Sequence, residues 1–198
     1  MSEEGSPRAF TPIGGETVYE GRIADVRIER FRHADGEEVE REVIRHRGAV
    51  GIVAYDSEGI WLVRQPREAV GDPDLLEIPA GRLDVQGEAP LQAAQRELAE
   101  EIGLGAREWE PILSYYTSAG FTDERVHLFA ATDLHEQSAE SEENERIEIV
   151  RWPLAEIERA IAECEDAKTL IALMWLARRL NGGLHRQGGR GAEAKPKG

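Results

Sequence analysis

Alternating apolar and charged positions near the start of the chain predict a small β element. Val18, Val26 and Ile28 are separated by charged residues, and Asp35-Gly36 is typical of a tight turn between two strands. Residues 16–46 are therefore expected to form an antiparallel N-terminal element. Because its apolar positions are few, we expect it to be buried against a partner subunit rather than inside a core.

Continuous apolar runs further along the chain predict buried strands. Residues 48–55 and 60–65 flank a turn signal at residues 56–59, so they are expected to pair as a hairpin. A loop is predicted over residues 66–74 and a short strand over residues 75–79. Three more strands are expected, over residues 111–116, 126–131 and 147–152.

Apolar positions with a helical repeat predict three helices. The first covers residues 90–102. It has Pro90 in its first turn, where a proline is tolerated, and it stops at Gly103. Two more helices are predicted, over residues 153–164 and from residue 166 or 167 to 180.

This order of strands, one internal helix, further strands and terminal helices predicts an α/β architecture. Residues 1–15 lack periodicity and are expected to be a flexible N-terminus ahead of the β element of residues 16–46. Residues 47–180 are expected to form one globular domain. Residues 181–198 contain few apolar side chains, so a disordered tail is predicted there.

Composition limits the classes of partner. The chain has 24 basic and 39 acidic residues, a net charge of −15, which argues against a general nucleic-acid binder. Cys164 is the single cysteine, so no internal disulfide can form and a reducing compartment is expected. No apolar run reaches membrane-spanning length, and the N-terminus does not have the pattern of a signal peptide. We therefore expect a soluble cytoplasmic protein with no membrane partner.

Three glutamates in the first predicted helix indicate a metal site. Glu97, Glu100 and Glu101 are spaced i, i+3 and i+4, which puts their carboxylates on one helix face. A hard divalent cation such as Mg²⁺ would stabilise these like charges, because it takes oxygen ligands. The spacing alone is also typical of a solvated acidic face, so both interpretations stay open at this point. Arg96 is expected to pair with Glu88 and to fix the preceding loop on the helix.

The residues around these glutamates carry a more specific signal. Residues 96–104 read RELAEEIGL, which closely resembles the second part of the Nudix box, R-E-U-x-E-E-x-G-U, where U is aliphatic. The first glycine and first glutamate of that box match Gly81 and Glu88, with one loop residue more between them than the family pattern has. The resemblance implies the Nudix fold, a mixed β-sheet sandwiched between α-helices, over residues 47–180.

Motifs outside the box resemble the ADP-ribose pyrophosphatase branch of that family. They are Gln65-Pro66-Arg67, LEIPAG at residues 76–81, Tyr116-Thr117-Ser118, GFTDE at residues 120–124 and DAKT at residues 166–169. Where this branch usually has a proline, the chain has Ala119. The resemblance implies hydrolysis of the pyrophosphate bond of ADP-ribose to AMP and ribose 5-phosphate. The alternatives are hydrolysis of another nucleoside diphosphate sugar and, in a different class, a non-catalytic nucleotide-sugar sensor.

The same resemblance implies roles for the helix carboxylates. Glu97 and Glu101 are expected to be the main Mg²⁺ ligands and therefore catalytic, with Mn²⁺ as the substitute ion. The carbonyl oxygen of Ala80 is expected to help them, with the carboxylate of Glu100 as an added ligand when more than one ion binds. Together these groups would neutralise the negative charge of a pyrophosphate and activate water.

Hydrolysis also needs a general base, and the resemblance indicates an acidic loop late in the chain. In this branch the base often comes from a mobile loop, and residues 142–145, EENE, match its position. We expect Glu143 to be the base and Glu145 to be a further metal contact. A solvated acidic loop with no catalytic role is the alternative interpretation of these residues.

Five residues are expected to contact a small-molecule nucleoside diphosphate derivative. Arg67 is the expected phosphate contact, because the planar guanidinium matches phosphate geometry. Arg45, Arg47 and Phe31 are expected to contact ribose or adenine. Glu124 is expected to hold its loop or a ribose hydroxyl.

The resemblance also implies an oligomeric state. Two subunits in this branch commonly exchange their N-terminal β elements and share each active site. The polar element predicted for residues 16–46 agrees with that arrangement, so we expect a homodimer.

Overall fold

The computed structural model describes residue 6, residues 8–137 and residues 146–187, and these contain ten strands, three α-helices and a 3-10 helix at Leu154–Glu156. The strands are β1 (Phe10–Glu20), β2 (Ala24–His33), β3 (Glu38–His46), β4 (Ala49–Ala54), β5 (Gly59–Arg67), β6 (Asp72–Glu77), β7 (Ala80–Arg82), β8 (Leu104–Tyr116), β9 (Arg125–Glu136) and β10 (Glu148–Pro153). The helices are α1 (Pro90–Ile102), α2 (Ile157–Glu163) and α3 (Ala167–Gln187). Within the described ranges, no helix is both long and apolar enough to cross a membrane.

The N-terminal strands form a separate antiparallel sheet in the order β1-β2-β3. Gly36 turns the chain between β2 and β3 with a φ of 90°, which confirms the predicted turn. The prediction of a flexible segment over residues 1–15 is wrong from Phe10 onward. Phe10 already pairs with His33, because β2 offers a free edge that orders this polar segment through main-chain hydrogen bonds.

The domain that follows contains two sheets. The first is mixed, in the order β7-β4-β9-β8, with β4 and β9 parallel, and the second is antiparallel, in the order β10-β5-β6. The predicted hairpin of β4 with β5 is wrong, since the two strands share only the isolated bridge between Tyr55 and Ile60. Both edges of β4 are occupied by β7 and β9, so β5 pairs in the other sheet.

Two apolar cores lie on opposite faces of the mixed sheet. On one face Leu98 of α1 packs with Val50 and Ile52 of β4. On the other face Val53 of β4 packs with Leu173 of α3 and with strands of the second sheet. Successive residues of β4 thus point to opposite cores, as the strand pleat requires. The expected mixed sheet between helices is confirmed.

The helices agree with the sequence except at the C-terminal end. Helix α1 has Pro90 in its first turn and ends at Gly103, whose φ of 68° is the left-handed conformation that favours glycine. Helix α3 does not stop at residue 180. It continues through Gly182 to Gln187, so the first part of the predicted disordered tail is helical. A glycine inside a helix costs only about 1 kcal/mol, which the rest of a long helix offsets.

One loop joins the N-terminal sheet to the rest of the molecule. The N–H of Ile44 donates to the carbonyl of Phe121 over 2.7 Å, and the N–H of Asp123 donates to the carbonyl of Ile44 over 3.2 Å. This loop connects β8 to β9, so strand β3 lies beside the turn that also borders the candidate site.

Candidate active site

Gly81, in the middle of β7, allows this strand to approach helix α1. A Cβ atom on Gly81 would overlap the side chain of Glu97, so a larger residue would displace that carboxylate. The neighbouring N–H of Ala80 donates to Oε2 of Glu101 over 3.0 Å. Two of the predicted metal ligands on α1, Glu97 and Glu101, therefore lie directly against strand β7.

Arg96, in the middle of the same helix, binds three carboxylates. Its Nε and Nη2 donate to the two oxygens of Glu88 over 3.0 and 3.1 Å. Its Nη1 donates over 2.8 Å to Glu97 and over 2.8 Å to Glu100. The hydrogen bond to Glu88 is the largest of the effects that raise the pKa of Arg96, and the negative charge of Glu97 adds to it. The predicted pairing of Arg96 with Glu88 is confirmed.

The chemistry of the donors, though not yet their arrangement, fits a hard divalent cation. In the part of the chain that the structure describes, no three His, Cys, Asp or Glu side chains form a ready metal site as they stand. Glu97, Glu100 and Glu101 nevertheless line one cleft with Ala80, and the Arg96 guanidinium already brings a positive charge between two of them. Carboxylate and carbonyl oxygens are the ligands that Mg²⁺ prefers. The donor chemistry therefore supports the predicted site.

This cleft has a volume of about 800 Å³ and carries both signs of charge. Its acidic side is the helix α1 face, and its basic residues come from separate parts of the fold. They are Arg22 between β1 and β2, Arg67 at the end of β5, Arg82 in β7, Arg96 in α1 and Lys168 in α3. Such a cleft can take a ligand that is itself anionic and a cation that bridges the ligand to the carboxylates.

Arg67 and Glu124, two of the predicted substrate contacts, lie in this cleft. The Nε of Arg67 donates to Oε2 of Glu77 over 2.7 Å, and the Arg67 side chain is 40% exposed. Glu124 accepts a hydrogen bond of 2.8 Å from the Thr117 hydroxyl and lies 3.6 Å from Nδ1 of His46. These contacts fit the predicted role of Glu124 in holding its loop.

Arg45 and Phe31 lie elsewhere, in a second hollow of about 450 Å³ between the N-terminal sheet and the loop before β9. The Nη1 of Arg45 donates to Asp123 over 3.0 Å, and its Nε donates to Glu29 over 3.1 Å. These hydrogen bonds, first to Glu29 and then to Asp123, raise the pKa of Arg45. Phe31 packs edge to face on Phe10, with 5.5 Å between ring centroids.

The other residues that the sequence analysis named are Ala119, Arg47, Glu143 and Glu145. Ala119 lines the second hollow and not the cleft. Arg47 follows the end of β3, is exposed and borders neither of the two hollows. Glu143 and Glu145 lie outside the described residues, so the predicted base and its neighbour stay predictions.

Sequence reasoning assigned no site role to Glu77 or Lys168. Glu77 is only 2% exposed, and its carboxylate binds both Arg67 and Lys168. Lys168 lines the cleft from the first turn of α3. The sequence contains one signal for this pair, since Glu77 interrupts the apolar run of residues 75–78. A carboxylate that is buried with such a run needs a cationic partner.

Comparisons with known proteins agree with this geometry. A family model described as NUDIX domain matches residues 45–173. The chain is 37% identical over 169 residues to the ADP-ribose pyrophosphatase of Bacillus subtilis, covering 83% of this chain and 90% of the relative. It is 40% identical over 164 residues to the ADP-ribose pyrophosphatase of Mycobacterium tuberculosis, covering 81% and 79%.

A further relative has a different name, and one solved structure has a similar fold. The chain is 36% identical over 169 residues to a methanol dehydrogenase activator of Bacillus methanolicus, covering 83% of this chain and 90% of the relative. A crystal structure of an ADP compounds hydrolase superposes with a TM-score of 0.77 at 28% identity, covering 90% of this chain and 97% of that one. The similarity therefore extends across both the cleft and the N-terminal sheet.

Proposed function

The chain belongs to the NUDIX domain family, and from this premise we propose that it hydrolyses the pyrophosphate bond of ADP-ribose to AMP and ribose 5-phosphate. The observation that carries the proposal is a cleft in which the carboxylates of α1 lie together with basic side chains. The relatives named ADP-ribose pyrophosphatase match over about four-fifths of the chain.

Glu97, Glu101, Glu100 and the carbonyl of Ala80 would hold the divalent cation, which we propose to be Mg²⁺, with Mn²⁺ as its substitute. When bound, the cation supplies positive charge that neutralises pyrophosphate oxygens and activates water. The chain itself holds the carboxylates in place. Arg96 restrains two of them, and the N–H of Ala80 restrains Glu101.

The basic wall of the cleft orients the anionic substrate. Arg67 is anchored on one side by Glu77 and is partly exposed on the other, so its remaining N–H groups are available to a phosphate oxygen. A positioned guanidinium stabilises the charge that develops on the leaving phosphate. A carboxylate such as the predicted Glu143 would then take the proton of the attacking water.

The second hollow offers a place for the nucleoside. Phe31 presents an aromatic ring, and Arg45 is fixed by Glu29 and Asp123. Aromatic rings stack on bases, so we propose that this hollow contacts adenine or its ribose. Ala119, which stands where the branch usually has a proline, borders the same hollow. At that position it would affect which nucleoside diphosphate sugar the protein accepts. Another such sugar is therefore the second candidate substrate.

We also propose a cytoplasmic homodimer. Large apolar side chains of the N-terminal sheet and of the turn between β1 and β2 are exposed in the single chain, with Phe10 at 59%, Tyr19 at 63% and Ile23 at 61%. Burial of such residues against a second copy would remove their apolar surface from water. Light scattering of the purified protein tests the dimer, and a monomeric mass at micromolar concentration would contradict it.

Product analysis tests the main proposal. The purified protein is incubated with Mg²⁺ and, in parallel, ADP-ribose, ADP-glucose, GDP-mannose and NADH, and the products are separated by chromatography. We expect AMP from ADP-ribose at the highest kcat/KM, and no turnover in EDTA. Preference for another sugar nucleotide would move the assignment to the second candidate. No turnover of any compound would favour the non-catalytic nucleotide-sugar sensor.

A further inference from the structure

Glu77 is the most deeply buried carboxylate described in the cleft region, and it needs positive partners. It lies in β6, and its side chain is 3% exposed. Removing a charge from water costs several kcal/mol unless another charge and hydrogen bonds compensate. Arg67 supplies Nε and Nη2, both 2.7 Å from Oε2, and Lys168 binds Oε1. One buried carboxylate thus fixes two cations.

Neither cation uses all its donors on Glu77. The Lys168 ammonium has three N–H donors, and the described contacts engage two of them, with Glu77 and with Asp166 at 3.0 Å. Arg67 has a further Nη1 nitrogen beyond the two atoms that meet Glu77. Both side chains line the cleft. Each therefore has donors to offer a ligand without leaving its anchor.

Asp166 cancels only part of the charge of Lys168. Its Oδ2 accepts from the N–H of Thr169 over 2.9 Å and from the Thr169 hydroxyl over 2.6 Å, so it also caps the start of α3. The N-terminus of a helix carries a partial positive charge, which partly compensates the aspartate. Part of the positive potential of Lys168 therefore remains available on this wall.

The choice of residue type supports a special role. Lysine occurs at only three positions, Lys168, Lys195 and Lys197, so every other basic side chain from residue 1 to 194 is arginine or histidine. Lys168 is 15% exposed, and the compact ammonium places a full charge in a space that a planar guanidinium would not fill in the same way.

We propose that Lys168 is a second phosphate-binding residue of the cleft, paired with Arg67 through Glu77. The two cations form a clamp for the pyrophosphate of the substrate on the wall built by β5, β6 and α3. Glu77 is a positioning residue, because it acts through both cations. This inference rests on the proposed function only in requiring a ligand with a pyrophosphate group.

Binding of inorganic pyrophosphate in EDTA tests the clamp without turnover and without a metal ion. Isothermal titration calorimetry at fixed ionic strength compares the wild type with Lys168→Gln, which keeps an N–H donor for Glu77 but loses the charge. We expect a Kd about ten-fold weaker or more, the scale of one hydrogen bond to a charged group. Lys168→Arg keeps the charge but not the compact ammonium, so it is expected to restore only part of the affinity. On ADP-ribose the Gln variant should raise KM more than it lowers kcat.

Arg178→Gln is the matched control, because Arg178 is exposed on the same helix and its loss changes the net charge equally. We expect its Kd for pyrophosphate to stay within about two-fold of the wild type. A folded Lys168→Gln variant that binds pyrophosphate as tightly as Arg178→Gln would overturn the inference. Wild-type turnover of ADP-ribose, measured separately, shows whether the proposed function itself has failed.

A measurement on the wild type avoids any folding defect of the variants. Lysines are acetylated with an amine-reactive reagent in EDTA, with and without pyrophosphate, and the peptides are quantified by mass spectrometry. We expect pyrophosphate to protect Lys168 and to leave Lys195 and Lys197, which serve as internal references, equally reactive. Equal labelling of Lys168 at saturating pyrophosphate would overturn the inference.

Discussion

Two ion-pair clusters face the same cleft with opposite composition. On α1, the single cation Arg96 is shared by Glu88, Glu97 and Glu100. On β6, the single carboxylate Glu77 is shared by two cations. The first cluster has an excess of negative charge, which attracts a metal ion. In the second, where Asp166 also pairs with Lys168, two cations meet one carboxylate and keep N–H donors for a phosphate.

Burial separates the roles of the two clusters. The Glu77 side chain is 3% exposed, whereas those of Glu88, Glu97 and Glu100 are 13%, 14% and 29% exposed. A fully buried charge must stay paired in every state of the protein, so Glu77 belongs to the framework. A carboxylate with access to water can exchange one cationic partner for another at small cost, so the α1 cluster is suited to binding and releasing a metal ion.

The largest effect is expected from neutralising the acidic cluster. Glu97→Gln removes one charge from the proposed metal ligands, and kcat on ADP-ribose should fall by about 10²–10³-fold, the scale for losing one group that stabilises transition-state charge. Steady-state kinetics with Mg²⁺ measures it. Glu158→Gln, an exposed position on α2, is the control and should keep full activity. Normal turnover by Glu97→Gln would remove Glu97 from the proposed site.

Neutralising the buried cluster should instead appear in stability. Glu77→Gln leaves Arg67 and Lys168 without their shared anion. We expect the free energy of unfolding to fall by about 3 kcal/mol, the low end for a buried pair, because Arg67 is partly exposed. Urea unfolding followed by circular dichroism measures it. Glu58→Gln breaks an exposed ion pair with Arg151 and should cost under about 0.5 kcal/mol. Equal losses of stability in Glu77→Gln and Glu58→Gln would contradict the assignment of Glu77 to the structural framework.

A steric change tests how tightly the acidic cluster is held. Gly81→Ala would push its new methyl group into Glu97, so we expect a loss of about 1–3 kcal/mol in stability, together with reduced turnover. Thermal unfolding and kinetics measure the two effects. Gly182→Ala, in helix α3 with open space around it, should leave stability unchanged or slightly higher. An unaltered Gly81→Ala protein would show that Glu97 moves freely.

The smallest effect is expected at a neutral residue in the same cleft. The buried Tyr115 hydroxyl has no hydrogen-bond partner among the described residues. Burial, followed by the charges of Asp166 and Glu124, raises the pKa of Tyr115, so it stays uncharged near neutral pH. Tyr115→Phe should therefore change the free energy of unfolding by less than about 0.5 kcal/mol, measured in urea. A loss above about 1 kcal/mol would indicate that this hydroxyl makes a stabilising contact.

Local signals in the sequence were enough for several elements. The proline at the start of α1, the glycine at its end and the Asp35-Gly36 turn act through the conformation of single residues, and the structure confirms all three. The pairing of β4 was predicted wrongly because an apolar run indicates burial but does not identify the neighbouring strands. The early start of β1 was missed because main-chain pairing, not side-chain pattern, orders it.

For the site, the sequence by itself determined that Glu97, Glu100 and Glu101 share one face, because helix geometry fixes neighbours three and four residues apart. Only the tertiary structure brought Glu77 to Arg67, ten residues away, and to Lys168, 91 residues away. Contacts at such separations depend on how β5, β6 and α3 pack around one core, and no local pattern encodes that packing. The acidic wall of the cleft therefore follows from one helix, and the basic wall follows from the fold.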